Sequence, residues 1–168
     1  AAGVGGGAAG RGRGRGRAGG GARVGRRREG WAPAGGLVIP GGESTTLWKF
    51  FEVAPWEDAI RAFARSGRPV LGTCAGAILL ASEVTNPPQK ALRLIDISVE
   101  RNAFGRQVDS FTGDVESPEL GGRLPAVFIR SPRIRRVGPG VDALATFVRP
   151  PLDPVLVSQG NVLSATFT

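Results

Sequence analysis

The chain of 168 residues contains one cysteine, Cys74, in the stretch GTCAG, with Gly72 two residues before it and Gly76 two residues after it. An apolar run, RPVLGT, precedes the cysteine, and a second, AGAILLASEV, follows it. Glycines at this spacing between a strand and a helix permit the tight turn that lifts a nucleophile above a sheet. The same turn places the sulfur at a helix N-terminus, where backbone N–H groups favour a thiolate. From these residues alone two readings stand: an attacking sulfur, or a packed thiol in an apolar strand–helix unit. The sequence has no histidine, so the usual base for a cysteine nucleophile is missing from it.

A second half-site follows the run GLVIP, in the sequence PGGES. The strand ends of an open α/β sheet face one crevice, so the backbone N–H groups of Gly41 and Gly42 can act as oxyanion donors beside Cys74. A donor of that kind is typically worth about 3 kcal/mol of barrier. The other reading of PGGES is a plain turn with Ser44 or Thr45 capping the next helix.

These half-sites need a frame. GLVIP and RPVLGT read as short buried strands. ESTTLWKFFEVAPWEDAIRAFARSG reads as helical, interrupted before Pro55 and closed by Gly67, and AGAILLASEV reads as one apolar helix. Alternating strand and helix with short glycine turns implies parallel strands with right-handed crossovers. The second half is richer in strands: LIDISVERN, AVFIRSP, VDALATFV and a hairpin in PVLVSQGNVLSATF turning at Gln159 to Asn161. The fold class expected is α/β, an open, mostly parallel sheet flanked by helices in three layers.

The net charge of +8 is unevenly placed. Residues 1–30 carry eight arginines, one glutamate and 13 glycines, with no aromatic, leucine or isoleucine. Such a segment buries too little to offset its ordering entropy. Residues 1–34 are therefore expected to be a disordered Gly/Arg-rich region, and 35–168 the folded domain. Three origins for the tract stand: an arm for RNA or another polyanion, a neutral extension, or GC-rich codons read out of frame. The remaining residues are almost charge-neutral, so the domain itself is not expected to bind nucleic acid. One cysteine allows no internal disulfide, and one thiol without histidine makes no metal cluster. Apolar runs are far shorter than the roughly 20 residues that span a bilayer. A cytoplasmic protein without cofactor or metal is expected.

In their order and gaps, LVIPGGESTT, GTCAGAILLA, ISVERNAFGRQVDSF and AVFIRSP resemble the glutaminase subunit family of pyridoxal 5'-phosphate synthases, a triad-type class I glutamine amidotransferase family. The resemblance spans roughly Gly35 to Phe167. It implies that Cys74 attacks the side-chain amide of L-glutamine, giving a γ-glutamyl thioester and ammonia. It implies oxyanion or glutamine-binding roles for Gly41, Gly42, Glu43, Ser44 and Ala75, and glutamine contacts for Arg101, Ile129 and Arg130. Arginine suits the substrate carboxylate because its fork pairs bidentately. Without the resemblance, Arg101 and Arg130 read as solvated surface charges. It further implies a (β/α)8-barrel synthase subunit as partner and recipient of the ammonia.

The chain departs from the family pattern at both ends. That pattern closes on Ser-Phe-His-Pro-Glu, whereas here Thr168 stands where histidine is expected. The pattern opens on a buried strand with a Leu-Gln-Gly segment and a helix, where this chain has its Arg/Gly tract. The first β–α unit and the C-terminal helix are expected to be missing or altered, with a sheet one strand short and marginal stability. The chain as written is expected to be inactive. Besides the glutaminase reading, a catalytically dead module binding glutamine or the partner, and an Arg/Gly nucleic-acid binder, stand as alternatives.

Overall fold

The computed structural model describes residues 2–3, 31, 33–53, 55–103 and 110–168. Residues 4–30, and the 104–109 part of the VERNAFGRQVDSF motif, lie outside the described residues.

The elements in chain order are β1 (Ala2–Gly3), β2 (Leu37–Ile39), α1 (Ser44–Val53), α2 (Trp56–Arg65), β3 (Val70–Thr73), α3 (Ala75–Leu80), β4 (Ala81–Thr85), β5 (Ile95–Glu100), β6 (Ser110–Ser117), β7 (Gly122–Ile129), β8 (Arg133–Val137), β9 (Asp142–Phe147), β10 (Pro154–Gln159) and β11 (Val162–Ala165). A large sheet runs in the order β1-β2-β3-β11-β10-β9-β6-β7, and a smaller one in the order β4-β5-β8. The pairs β1–β2, β2–β3 and β3–β11 are parallel, while β11–β10, β10–β9, β9–β6 and β6–β7 are antiparallel. The parallel half carries Cys74, and the antiparallel half is an extension built from hairpins.

The expected strands and the break between α1 and α2 are present. The expected helix AGAILLASEV ends early: α3 stops at Leu80, and Ala81 turns extended and begins β4, which pairs in parallel with β5. A wholly apolar run has no period to separate helix from strand. Here the Ser82 hydroxyl donates to the Ile95 carbonyl at 2.8 Å, and Val84 packs into the core. The cap of α1 also differs from the Ser44 or Thr45 expected. Glu43 takes that role, its carboxylate accepting from the Thr46 N–H at 2.7 Å, while Ser44 is buried within the helix.

Among the described residues the core includes Trp31, ahead of Gly35. Its ring lies 5.1 Å from Trp56 and meets Phe63 edge-on, and Ala34 is buried beside it. In α2 the buried residues Trp56, Ile60, Phe63 and Ala64 fall on one helical face, as an amphipathic helix requires. A Glu57–Arg61 pair at 2.7 Å spans its outer side. Near the start of the chain, Ala2 and Gly3 pair in parallel with Leu37 and Val38.

Two contacts fix β3 and α3, one at the start of the strand and one beyond its end. Asn161, in the β10–β11 turn, donates to the carbonyls of Ala64 and Arg68 at 2.8 and 2.7 Å, and its own carbonyl accepts from Val70 at 2.9 Å. That docks β11 in register beside β3, with Ala165 opposite Thr73. The second contact is α3 against β2. A Cβ on Gly76 would stand 2.0 Å from the Ile39 carbonyl oxygen, and one on Gly72 would stand 2.6 Å from the Gly76 backbone and from Leu80 Cδ1. Only backbone without side chains fits there.

Because the obstacle is backbone, Gly76→Ala is expected to lower unfolding stability by about 3 kcal/mol or more. Urea denaturation checks it, and a loss below about 1 kcal/mol would show that the close approach does not constrain the turn.

Candidate active site around Cys74

Cys74 is the hinge between β3 and α3, with φ 49° and ψ −105°. A left-handed φ on a residue with a side chain costs on the order of 1–3 kcal/mol and persists only where its surroundings enforce it. The enforcement is visible on both sides. The Cys74 N–H donates to the Ala165 carbonyl at 2.8 Å, and the Cys74 carbonyl accepts from Ala77 at 3.0 Å and Ile78 at 3.3 Å, starting α3. The turn is the strand–cysteine–helix elbow expected from GTCAG.

The sulfur is enclosed, with Cys74 only 8% exposed. Sγ donates to the Ile129 carbonyl at 3.7 Å. The Ala75 N–H, the Thr168 hydroxyl and the Gly42 N–H are the nearby polar groups that favour its ionised form. Burial pushes the thiol above its ordinary pKa, and these three contacts pull the other way without making up the difference. In this environment the sulfur is held as thiol at neutral pH. Gly41 completes the wall: a Cβ there would lie 3.4 Å from Cys74 Cβ and 3.7 Å from Thr168 Oγ1. The N–H groups of Gly42 and Ala75 both favour negative charge at the sulfur.

The β2–α1 loop supplies a charged wall. Glu43 is ion-paired with Arg101 at 3.2 Å, and the Arg101 side chain is 12% exposed, so it is not a solvated surface charge. The carboxyl of Glu43 is lowered to about 2, first by the hydroxyl of Thr45 and then by backbone N–H groups of Thr46 and Thr45, with partial burial opposing. Its contribution to the fold is therefore present above the ordinary carboxyl pKa and is lost as pH falls towards 2. Ser44 turns away from the sulfur, its hydroxyl donating to Gln89 Oε1 at 2.8 Å. Ile129 brings its carbonyl, not its half-exposed side chain, to Cys74. Arg130 follows with φ 44° and an exposed side chain.

The structure therefore gathers Gly41, Gly42, Ala75 and Ile129 around Cys74 and sets Glu43 and Arg101 as a pair at the loop beside it. Sequence reasoning missed Ala165 and Gln89. Both act through strand register or a long-range hydrogen bond, and no local pattern marks either. Thr168, noted only for its position, proves to lie beside the nucleophile across Gly41.

The chain was compared with known proteins. Residues 14–168 match the SNO glutamine amidotransferase family. The chain is 49% identical over 148 residues to "Pyridoxal 5'-phosphate synthase subunit PdxT" of Solibacter usitatus, covering 84% of this chain and 75% of that protein. It is 46% identical to the protein of the same name from Thermosipho africanus, over 86% of this chain and 76% of that one. A solved structure described as a glutamine amidotransferase superposes with a TM-score of 0.79 at 45% identity, over 88% of this chain and 77% of the other. A glutamine amidotransferase from Thermotoga maritima shares the fold alone, with a TM-score of 0.55 at 15% identity.

Alkylation of Cys74 by iodoacetamide is expected to stay slow at pH 7–8 and to reach half its maximal rate only above pH 9, the ordinary value for the thiol. Because burial favours the protonated form, the fold resists ionisation of this group and weakens as pH rises past that value. A midpoint at or below pH 8 would contradict the assignment. With the strained elbow, the paired N–H groups at its sulfur and these matches together, the chain belongs to the SNO glutamine amidotransferase family.

Proposed function

We propose that this chain is the glutaminase subunit of a pyridoxal 5'-phosphate synthase, acting in the cytoplasm. The observation that carries the reading is the elbow itself: a buried cysteine at φ 49° at the junction of β3 and α3. In the reaction, Cys74 Sγ attacks the γ-carbonyl of L-glutamine and forms a C–S bond, and the carbonyl electron pair becomes an oxyanion facing the N–H groups of Gly42 and Ala75. Collapse breaks the C–N bond. The nitrogen leaves as ammonia after gaining a proton, and water then cleaves the γ-glutamyl thioester to L-glutamate and free thiol. Arg101, already desolvated and paired with Glu43, is assigned to the substrate carboxylate, with Glu43 and Arg130 lining the same pocket and Ser44 supporting the loop through Gln89. The ammonia passes to a (β/α)8-barrel synthase subunit, which uses it to build pyridoxal 5'-phosphate.

Both proton transfers need a base beside the sulfur. The side chain beside the sulfur at the position where the family resemblance calls for histidine is the Thr168 hydroxyl, and a hydroxyl does not take up a proton near neutral pH. That observation favours a second reading for a polypeptide of these 168 residues, in which it binds glutamine and partner without turnover. Loss of a triad base commonly costs about 10⁴ in turnover.

Thr168→His, assayed for glutamate release at pH 8 with a relative's synthase subunit present, is expected to raise the rate at least about tenfold over the parent chain. Adding Cys74→Ala should remove the gain. A gain that survives Cys74→Ala would overturn the assignment of the nucleophile, and no gain with glutamine still bound would establish the binding module instead.

A further inference from the structure

Away from Cys74, a cavity of about 490 Å³ opens between the β6–β7 hairpin and the segment that follows β9. None of its lining residues belongs to the elbow, the β2–α1 loop or the end of β11. Its volume is that of a small-ligand site. The catalytic assignment leaves it without a role.

One wall is aromatic. Phe111 and Phe147 line the cavity, their rings nearly parallel with centroids 6.2 Å apart. Behind them the buried Phe128 stacks on Phe111 at 5.0 Å and lies 4.7 Å from Phe147. Gly113 lies against all three rings, where a Cβ would come within 3.3–3.5 Å of them. The result is a supported aromatic surface next to open space, beneath Pro150 and Pro151.

The rim is cationic. Arg123, Arg133 and Arg149 line the cavity, and Asp114 is the one carboxylate among its lining residues. Arg133 is already paired with Asp153 at 2.5 Å. Arg123 and Arg149 are exposed and have no ion pair among the described residues. A flat ring on Phe111 and Phe147 with a dianionic group between Arg123 and Arg149 would satisfy both features at once.

We propose that this cavity binds a planar aromatic phosphate, and that its ligand is the end product, pyridoxal 5'-phosphate, which would give the glutaminase subunit a site that reads product level. The choice of end product rests on the function proposed above, whereas the chemistry of the cavity does not.

The test uses pyridoxine 5'-phosphate, whose alcohol replaces the aldehyde and so forms no imine with Lys49 or Lys90. Titrated into the full chain and followed by calorimetry, it is expected to bind saturably with Kd below about 1 mM. Pyridoxine and inorganic phosphate, added separately, are each expected to bind at least about tenfold more weakly, as is AMP. The double variant Arg123→Glu, Arg149→Glu changes only exposed side chains and should weaken binding by at least about tenfold while leaving the melting temperature unchanged. No saturation, or binding indifferent to the double variant, overturns the site. Tighter binding of AMP overturns the end product as its ligand. Binding is read on the chain alone without glutamine, so failure here leaves the glutaminase assay standing, and failure of that assay leaves a bound aromatic phosphate to be explained by the cavity.

Discussion

The contact of α3 with β2 at Gly76 is the constraint on which the site depends. Since a side chain at this position would overlap the Ile39 carbonyl, the helix lies directly on the strand, and the chain leaving β3 has one residue in which to reverse direction. That residue is Cys74, and its left-handed backbone is the consequence. The strain is not distributed over the turn, because β3 is fixed by β2 and β11 on its two sides. The helix is fixed in turn by Leu79 and Leu80, which are fully buried. Packing that stabilises the fold thus holds the sulfur in a position it would not adopt by itself.

Electrostatics at the sulfur divides the work between backbone and side chains. The N–H groups of Gly42 and Ala75 are fixed by the PGGES turn and by the start of α3, so they require no reorganisation when charge appears. In the resting state burial outweighs them and the thiol stays protonated. The loop that presents Gly42 is itself secured from its other end, where the Glu43 carboxylate caps α1 and pairs with Arg101. One short segment consequently carries a backbone N–H that favours charge on the sulfur, a helix cap and the partner of an arginine.

Much of this was legible in the sequence because its signals are local. GTCAG and PGGES encode turns in a few residues, and the strands around them are short apolar runs bounded by glycine. What escaped was non-local or lacked a period. AGAILLASEV is apolar throughout, so nothing in it marks the change from helix to strand at Ala81, which is decided by pairing with β5. The strands Ser110–Ser117 and Arg133–Val137 are polar on their exposed faces, and Gly113, Asp114, Arg135 and Arg136 obscure their alternation. Trp31 adjoins a glycine-rich tract, yet its burial against Trp56 and Phe63 comes from residues at least 25 positions away. At the site, Ala165 and Gln89 act through register and a distant hydrogen bond. The aromatic cavity is assembled from β6, β7 and β9, and no single stretch of sequence contains it.

The claim at the centre is that Cys74 is a nucleophile set in a glutamine pocket. The most direct measurement is labelling by a chloromethyl ketone analogue of L-glutamine at pH 9.5, where the thiol begins to ionise without help from a base, with the adduct located by peptide mapping. The account predicts a single adduct on Cys74, formed at least about a hundredfold faster than by chloroacetone and suppressed by L-glutamine but not by D-glutamine. Labelling no faster than by chloroacetone, or indifferent to L-glutamine, would show a buried thiol without a substrate pocket and would contradict it.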